Sequence, residues 1–144
     1  MKTFIKIAAV AVLAITAMSC KTAPKYELTD GEWVMTAWHN DGGEEMMITQ
    51  NRPTMKFEEG RVFGMAGCNN FNGRYKAEGD KMEVDLGAMT MKMCLDMTLE
   101  NRMVTTMPLV TNFKIDGNQL LLFNKEGKEL FRFDNAVEKT EINQ

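Results

Sequence analysis

Short apolar runs separated by turn signals fill the chain from residue 33 to residue 133. Apolar and polar residues alternate over residues 33–38 and 81–86, with the period of a β-strand that buries one face. Clusters of Gly, Asp, Asn and Glu divide the runs and are typical of turns. The pattern predicts strands over residues 33–38, 46–49, 54–57, 61–63, 74–77, 81–86, 113–115, 119–123 and 129–133.

These strands follow one another as hairpins, without the spacing of βαβ units. We therefore predict a mainly β fold with one helix (α+β), in which a small antiparallel β-meander closes into a barrel-like sheet. Closure is expected because it hides the edges of many short strands.

One segment has helical rather than strand periodicity. Apolar residues in the segment recur four positions apart, which places them on one helical face and predicts a helix near residues 96–107. Asp96 or Thr98 is expected to cap its start, with Glu100 in the first turn, and Pro108 to end it. The buried face would consist of Leu99, Met103 and Met107.

The first twenty residues have the layout of a bacterial lipoprotein signal peptide. Lys2 and Lys6 precede an apolar run at residues 7–15, which is too short to span a membrane. Residues 17–20 (AMSC) resemble a lipobox, which predicts cleavage after residue 19 and acylation of Cys20. The alternative is an ordinary secreted protein in which Cys20 is incidental.

This interpretation gives the domain organisation and the location. Residues 1–19 are the signal peptide, residues 20–27 the lipidated cysteine and its tether, residues 28–134 the domain, and residues 135–144 a flexible polar tail. No acidic residue directly follows Cys20, so a lipid anchor in the outer membrane that faces the periplasm is expected. The acyl chains would be the contact with the membrane.

Two further cysteines, Cys68 and Cys94, remain in the domain. An even pair in an oxidising compartment predicts a disulfide. A reactive thiol or a metal ligand is the alternative, although no C-x-x-C spacing is present to suggest redox catalysis.

Composition excludes several classes of function. No serine follows position 19 and His39 is the only histidine, which excludes a Ser-His-Asp triad and multi-histidine metal sites. A net charge of −3 excludes a basic nucleic-acid-binding protein. His39 paired with a free cysteine is one remaining catalytic arrangement. Adjacent residues of a strand point to opposite faces, so neither carboxylate doublet, at residues 44–45 or 58–59, forms a ready acid/base dyad, and both are expected to be solvated charges at turns. A hydrolase of envelope polymers, the third alternative, would need an open cleft with two carboxylates at a glycosidase-like separation.

Methionine is unusually abundant, with 14 residues. Met89, Met91 and Met93 alternate, so a strand would place their thioethers on one face, where they could bind Cu(I). The alternative is that methionine serves as an adaptable core filler, as its scatter through other strands indicates.

Residues 64–75 (GMAGCNNFNGRY) resemble the core of the META/HslJ domain family. The opening G-x-W at residues 31–33 and the DGNQLLL hairpin at residues 116–122 resemble the same family. The resemblance implies a small β-rich fold with a helix, found in envelope lipoproteins and associated with heat shock and novobiocin resistance, without established catalysis. The motif residues are Gly64, Gly67, Cys68, Asn69, Phe71, Gly73 and Tyr75.

Two interpretations of this motif remain open. The glycines permit bends or close backbone approach, the asparagines bond to nearby backbone, and the aromatic rings bury area, which makes the motif structural. Alternatively, the loop of Asn69 and Asn70 is a recognition surface.

We predict a monomeric envelope lipoprotein that acts as a non-enzymatic binding or stress-protective module, without a cofactor or nucleic-acid partner. A partner protein in the envelope would be one that the sequence does not identify. The alternative function is that of a periplasmic Cu(I)-binding protein.

Overall fold

The computed structural model describes residues 25–138. Over this range the chain forms nine strands, one α-helix and a short 3-10 turn. The predicted signal peptide, Cys20 and the end of the predicted tail lie outside the described residues. The elements are β1 Trp33–His39, β2 Glu45–Met47, β3 Thr54–Glu58, β4 Arg61–Met65, β5 Asn70–Glu78, β6 Lys81–Met89, α1 Thr98–Thr106, the 3-10 turn Met107–Leu109, β7 Asn112–Asp116, β8 Gln119–Phe123 and β9 Glu129–Asn135.

The strands form one antiparallel sheet that closes into a ring. Strands β3 to β9 pair in sequence order, and β1 pairs with β3 on one side and with β9 on the other. The short strand β2 pairs with the second half of β1, beyond its contact with β3. The predicted mainly β fold with one helix is confirmed, and the pairing of β1 with β9 provides the predicted closure.

The hairpins form where the turn signals are. Glu59 and Gly60, between β3 and β4, both have positive φ, and Gly79 and Gly117 have positive φ in the next tight turns. Glycine adopts this region without a steric penalty, so the turn residues set the register of the strands that follow.

The core lies inside the ring and is rich in methionine. Alternate residues of the strands point inward, as in β3, β5 and β6. Trp33, Phe131 and Phe133 are fully buried beside several methionines. The methionines with no more than 1% of their surface exposed are Met35, Met55, Met82, Met103 and Met107. Thioether side chains fill irregular gaps, which is the predicted core-filling role.

Helix α1 is shorter than predicted. It begins at Thr98, and the chain continues after Thr106 as the 3-10 turn that contains Pro108. The N-cap is Met97 rather than Asp96 or Thr98, although the Asp96 carboxylate accepts the Thr98 N–H at 2.9 Å. Met103 and Met107 are buried as predicted. Leu99 is half-buried against the core.

The helix lies beside the place where the ring has the fewest paired positions between neighbouring strands. Strands β6 and β7 share a single paired position, Lys81 with Asn112. The 3-10 turn packs next to β6, where the ladder to β7 has ended. Met103 and Met107 therefore seal the core at a place where the sheet alone leaves it open.

Both ends of the described chain belong to the domain. Tyr26 is buried against Trp33, and its hydroxyl donates to the carbonyl of Val137 at 2.9 Å. Asn135 ends β9, and the Ala136 N–H donates to the carbonyl of Glu32. The domain thus extends beyond the predicted 28–134 at both ends, because buried apolar area and backbone hydrogen bonds hold these residues.

Candidate functional site: the pinned apolar loop

Asn69 is the centre of a buried hydrogen-bond network at one corner of the ring. It lies between β4 and β5 and is almost completely buried. Its side-chain oxygen accepts from the Lys92 N–H at 2.6 Å and from the Thr90 hydroxyl at 2.8 Å. Its amide nitrogen donates to the Lys92 carbonyl at 3.1 Å and to a Glu100 carboxylate oxygen at 2.7 Å. One side chain thus holds both backbone groups of Lys92.

Glu100 is the acidic partner in this network. Its carboxylate is buried and reaches from α1 to the β4–β5 loop. The Oε2 atom accepts the backbone N–H groups of Asn69 at 2.6 Å and of Cys68 at 3.2 Å. A buried carboxylate needs such donors to offset its lost hydration. The sequence marks Glu100 only as an acid in the first helical turn, so its role was not predicted.

The predicted disulfide between Cys68 and Cys94 is confirmed, with a Cα–Cα distance of 6.1 Å. Gly67, directly before Cys68, has a φ of 118°, which few other residues adopt. The disulfide joins the β4–β5 loop to the segment between β6 and α1. It therefore ties together the same two segments as the Asn69 network.

The segment held in this way carries three exposed apolar side chains. Met91 and Met93 are 95% and 93% exposed, and Leu95 is completely exposed. They alternate with Lys92 and Cys94. The Lys92 backbone is held by the Asn69 side chain, and the Cys94 side chain is held by the disulfide. We call residues 91–95 the apolar loop. It is an apolar surface that the fold holds in water instead of burying.

The other motif residues shape the sheet and do not converge on the apolar loop. A Cβ atom at Gly64 would overlap the Thr54 backbone carbonyl, and one at Gly73 would overlap the Asp85 carbonyl. Phe71 is buried. Tyr75 is half-buried and packs edge-on against Phe57, with ring centroids 4.9 Å apart. Glycine is therefore required for close approach, as the structural interpretation of the motif predicts.

The structure does not continue β6 through the alternating methionines. The strand ends at Met89, which is half-buried against the core, and residues 90–95 have no regular structure. The strand that would have aligned Met89 with Met91 and Met93 for copper is therefore absent. Core filling does not describe Met91 and Met93 either, because both are exposed.

The remaining polar candidates lie elsewhere. His39 is 3.9 Å from a Glu45 carboxylate oxygen, and Cys68 and Cys94 are both in the disulfide, which leaves neither thiol for the alternative His-Cys pair. Arg102 packs over the Trp38 ring and bonds to Asp41 at 2.7 Å. The hydrogen bond and charge of Arg102 hold the pKa of Asp41 below its ordinary value.

The two carboxylate doublets are exposed at turns. Glu58 and Glu59 border a depression of about 780 Å³ on the outer face of β3 to β5, together with Arg61 and Phe63. Arg61 donates to the Asn72 side chain at 2.9 Å. Glu44 accepts a hydrogen bond from Asn40, within its own turn. Glu45 differs from the other three, because it lies in β2 and pairs with Arg132 at 3.2 Å. The other three carboxylates are exposed charges at or beside turns.

Two findings concern residues 25–138 as a whole. No group of three or more His, Cys, Asp or Glu residues in this range is placed to hold a metal ion. No helix in the same range is long and apolar enough to cross a membrane.

Three solved structures share this fold. A protein from Burkholderia xenovorans, solved by NMR, has a TM-score of 0.61 at 18% identity, covering 96% of this chain and all of its own. A DUF4847 family protein from Bacteroides vulgatus, solved by crystallography, has a TM-score of 0.54 at 13% identity, covering 78% of this chain and 96% of its own. A further NMR structure has a TM-score of 0.56 at 23% identity, covering 75% of this chain and 91% of its own.

No curated protein matches the sequence. The META domain model matches residues 26–137, which agrees closely with the limits of the folded domain from Tyr26 to Val137. The match includes the motif loop, the disulfide and the apolar loop. The chain belongs to the META domain family.

Proposed function

We propose that the chain is a lipid-anchored protein of the bacterial cell envelope whose META domain is a non-enzymatic binding module that binds through the apolar loop. One observation carries the binding role. Met91, Met93 and Leu95 are almost fully exposed on a loop that Asn69 and the disulfide hold in place. Exposed apolar side chains that cluster on a monomer mark interaction sites.

Fixing the loop favours binding. A flexible loop loses conformational entropy when it binds, whereas a loop ordered beforehand does not. The fold uses a buried carboxylate, a buried amide and a disulfide to hold five residues that add nothing to the core. Such an arrangement is difficult to explain by stability alone, because exposed methionine and leucine side chains gain nothing from remaining in water.

The location follows from residues 17–20 and the family association with envelope lipoproteins. We place the protein on the outer membrane, facing the periplasm, as a monomer with a role in envelope stress. The measurement is the intact mass of protein extracted from membranes. Residues 20–144 with diacylglyceryl and acyl groups are expected, and Cys20→Ala should abolish both the acylation and the cleavage after residue 19. An unacylated mass would contradict the anchor.

The binding role is tested by photo-crosslinking in intact cells. We would place p-benzoylphenylalanine at position 93 in the apolar loop and, as a matched control, at position 126 in the β8–β9 turn, where Glu126 is also exposed. An adduct of higher mass is expected from position 93 only. Equal adduct formation at both positions, or none at position 93, would contradict binding through the apolar loop.

A further inference from the structure

The apolar loop has its main-chain polar groups hydrogen-bonded at Lys92, between the two exposed methionines. The Lys92 N–H and carbonyl are both bonded to the Asn69 side chain, and the Thr90 N–H donates to the Asn70 carbonyl at 3.0 Å. Main-chain groups without partners are costly to move into an apolar medium. Because Asn69 supplies these partners, the loop can leave water without exposing the polar groups of Lys92.

The loop also projects outward instead of lining a groove. The almost fully exposed side chains of Met91, Met93 and Leu95 form a tip, and none of them lines the depressions found on β3 to β6. A protein partner would need a pocket complementary to this tip. A fluid apolar layer needs no such complementarity, because lipid chains rearrange around inserted side chains.

The short tether keeps the domain close to the membrane. Four residues, 21–24, separate the acylated cysteine from the first described residue, and the chain spans at most about 18 Å from Cys20 to Lys25 when fully extended. A domain of this size has a radius of gyration of about 13 Å. The domain therefore cannot move more than roughly its own width from the surface that holds the acyl chains.

We infer that the occupant of the apolar loop is the lipid bilayer itself: Met91, Met93 and Leu95 insert into the acyl boundary of the membrane that anchors the chain. This inference rests on the proposed lipid anchor at Cys20. The anchor would supply proximity, and the loop would fix the orientation of the domain. The opposite side of the domain would then face the aqueous compartment.

The charged neighbours set the depth of insertion. Lys92 lies between the two methionines, and its long stem allows the ammonium group to reach the headgroups while the methionines insert. Asp96 follows Leu95, and its carboxylate accepts the Thr98 N–H at 2.9 Å. Hydrogen bonds from the Thr98 side chain and then from its N–H hold the pKa of Asp96 below its ordinary value, so the carboxylate stays charged at neutral pH and remains at the headgroup level. Insertion is thus limited to the tip.

The methionines are themselves probes of this contact, because sulfoxide formation follows the exposure of the thioether. Acylated mature protein, residues 20–144, would be added to preformed vesicles of phosphatidylethanolamine and phosphatidylcholine and treated with a membrane-impermeant oxidant. Peptide mass spectrometry would give the oxidation rates of Met91 and Met93 relative to Met47, which is 66% exposed on β2 and is the internal reference. Unlipidated protein of residues 21–144, without vesicles, gives the unprotected ratio.

We expect the oxidation rates of Met91 and Met93 relative to Met47 to fall at least about threefold on vesicles. An unchanged ratio for acylated protein would overturn the inference and leave the proposed anchor intact. Protection that disappears as the protein is diluted in the lipid would indicate a second copy, and protection seen only in native membranes would indicate a protein partner. Both results would overturn insertion. An unacylated intact mass would overturn the anchor and the inference together.

Discussion

The Glu100 carboxylate joins helix α1 to the motif loop, and Glu100→Gln tests this role with little change in side-chain volume. Its two oxygens accept three hydrogen bonds, from the N–H groups of Asn69 and Cys68 and from the Asn69 amide. In glutamine one oxygen becomes an amino group. Whichever way the new amide is oriented, its amino group faces an N–H donor, either the backbone N–H groups of Asn69 and Cys68 or the side-chain amide of Asn69. Rotating the Asn69 amide to relieve this contact would break its bonds to Lys92.

Two effects set the magnitude. A buried donor left without an acceptor costs about 1–3 kcal/mol, and hydrogen bonds to a neutral acceptor are about 1 kcal/mol weaker than those to a charged one. The neutral amide loses less hydration on burial than the carboxylate, which offsets part of this loss. We expect Glu100→Gln to lower the free energy of unfolding by about 2–4 kcal/mol, a substantial fraction of the 5–15 kcal/mol typical of domains.

The assay is urea unfolding of the disulfide-bonded protein, followed by tryptophan fluorescence, since Trp33 is fully buried in the native state. The matched control is Glu83→Gln, which removes the same charge from an exposed position on β6. The control should change the free energy by no more than about 0.5 kcal/mol. A Glu100→Gln variant as stable as this control would refute the role given to the carboxylate.

Three further predictions concern a glycine in the sheet, the disulfide and the Asp41–Arg102 pair. Gly73→Ala should destabilise the fold by about 3 kcal/mol or more in urea unfolding, because the new methyl group overlaps a β6 carbonyl. Gly79→Ala, in open space at positive φ, should cost only about 1–2 kcal/mol, and equal losses would argue against the overlap. Serine in place of both members of the Cys68–Cys94 pair, 26 positions apart, should lower the free energy of unfolding by about 3–4 kcal/mol, compared with wild type under oxidising conditions. Asp41 should titrate by NMR below the ordinary aspartate pKa, and Arg102→Ala should remove most of the difference, because the charge of Lys128 contributes the smaller remainder. Because its folded pKa is lowered, Asp41 stabilises the fold above its unfolded-state pKa of about 4, and this contribution is lost as pH falls through the lowered value.

The strands were predictable because their signals are local. Positive φ at Gly60, Gly79 and Gly117 places the tight turns where the sequence indicated them. The disulfide followed from the even number of domain cysteines. Gly87 was not singled out, although it has positive φ and a Cβ there would lie 2.5 Å from the Asn72 carbonyl oxygen. Its role depends on the strand that β5 places beside it, and a single sequence does not show that approach.

The apolar loop was not predictable for a similar reason. Alternation of methionine at residues 89, 91 and 93 specifies which side chains share a face, but it does not specify the medium that the face meets. Asn69 determines that this segment stays in water. Its side chain binds the backbone of Lys92, 23 positions away, and so replaces the hydrogen bonds that a neighbouring strand would supply. The motif asparagine suggested recognition, and it is buried. The surface that it supports lies in the segment that sequence alone assigned to the core or to copper. A sequence motif can thus determine which segment is exposed without belonging to that segment, because the motif supplies the hydrogen bonds that hold the segment in place.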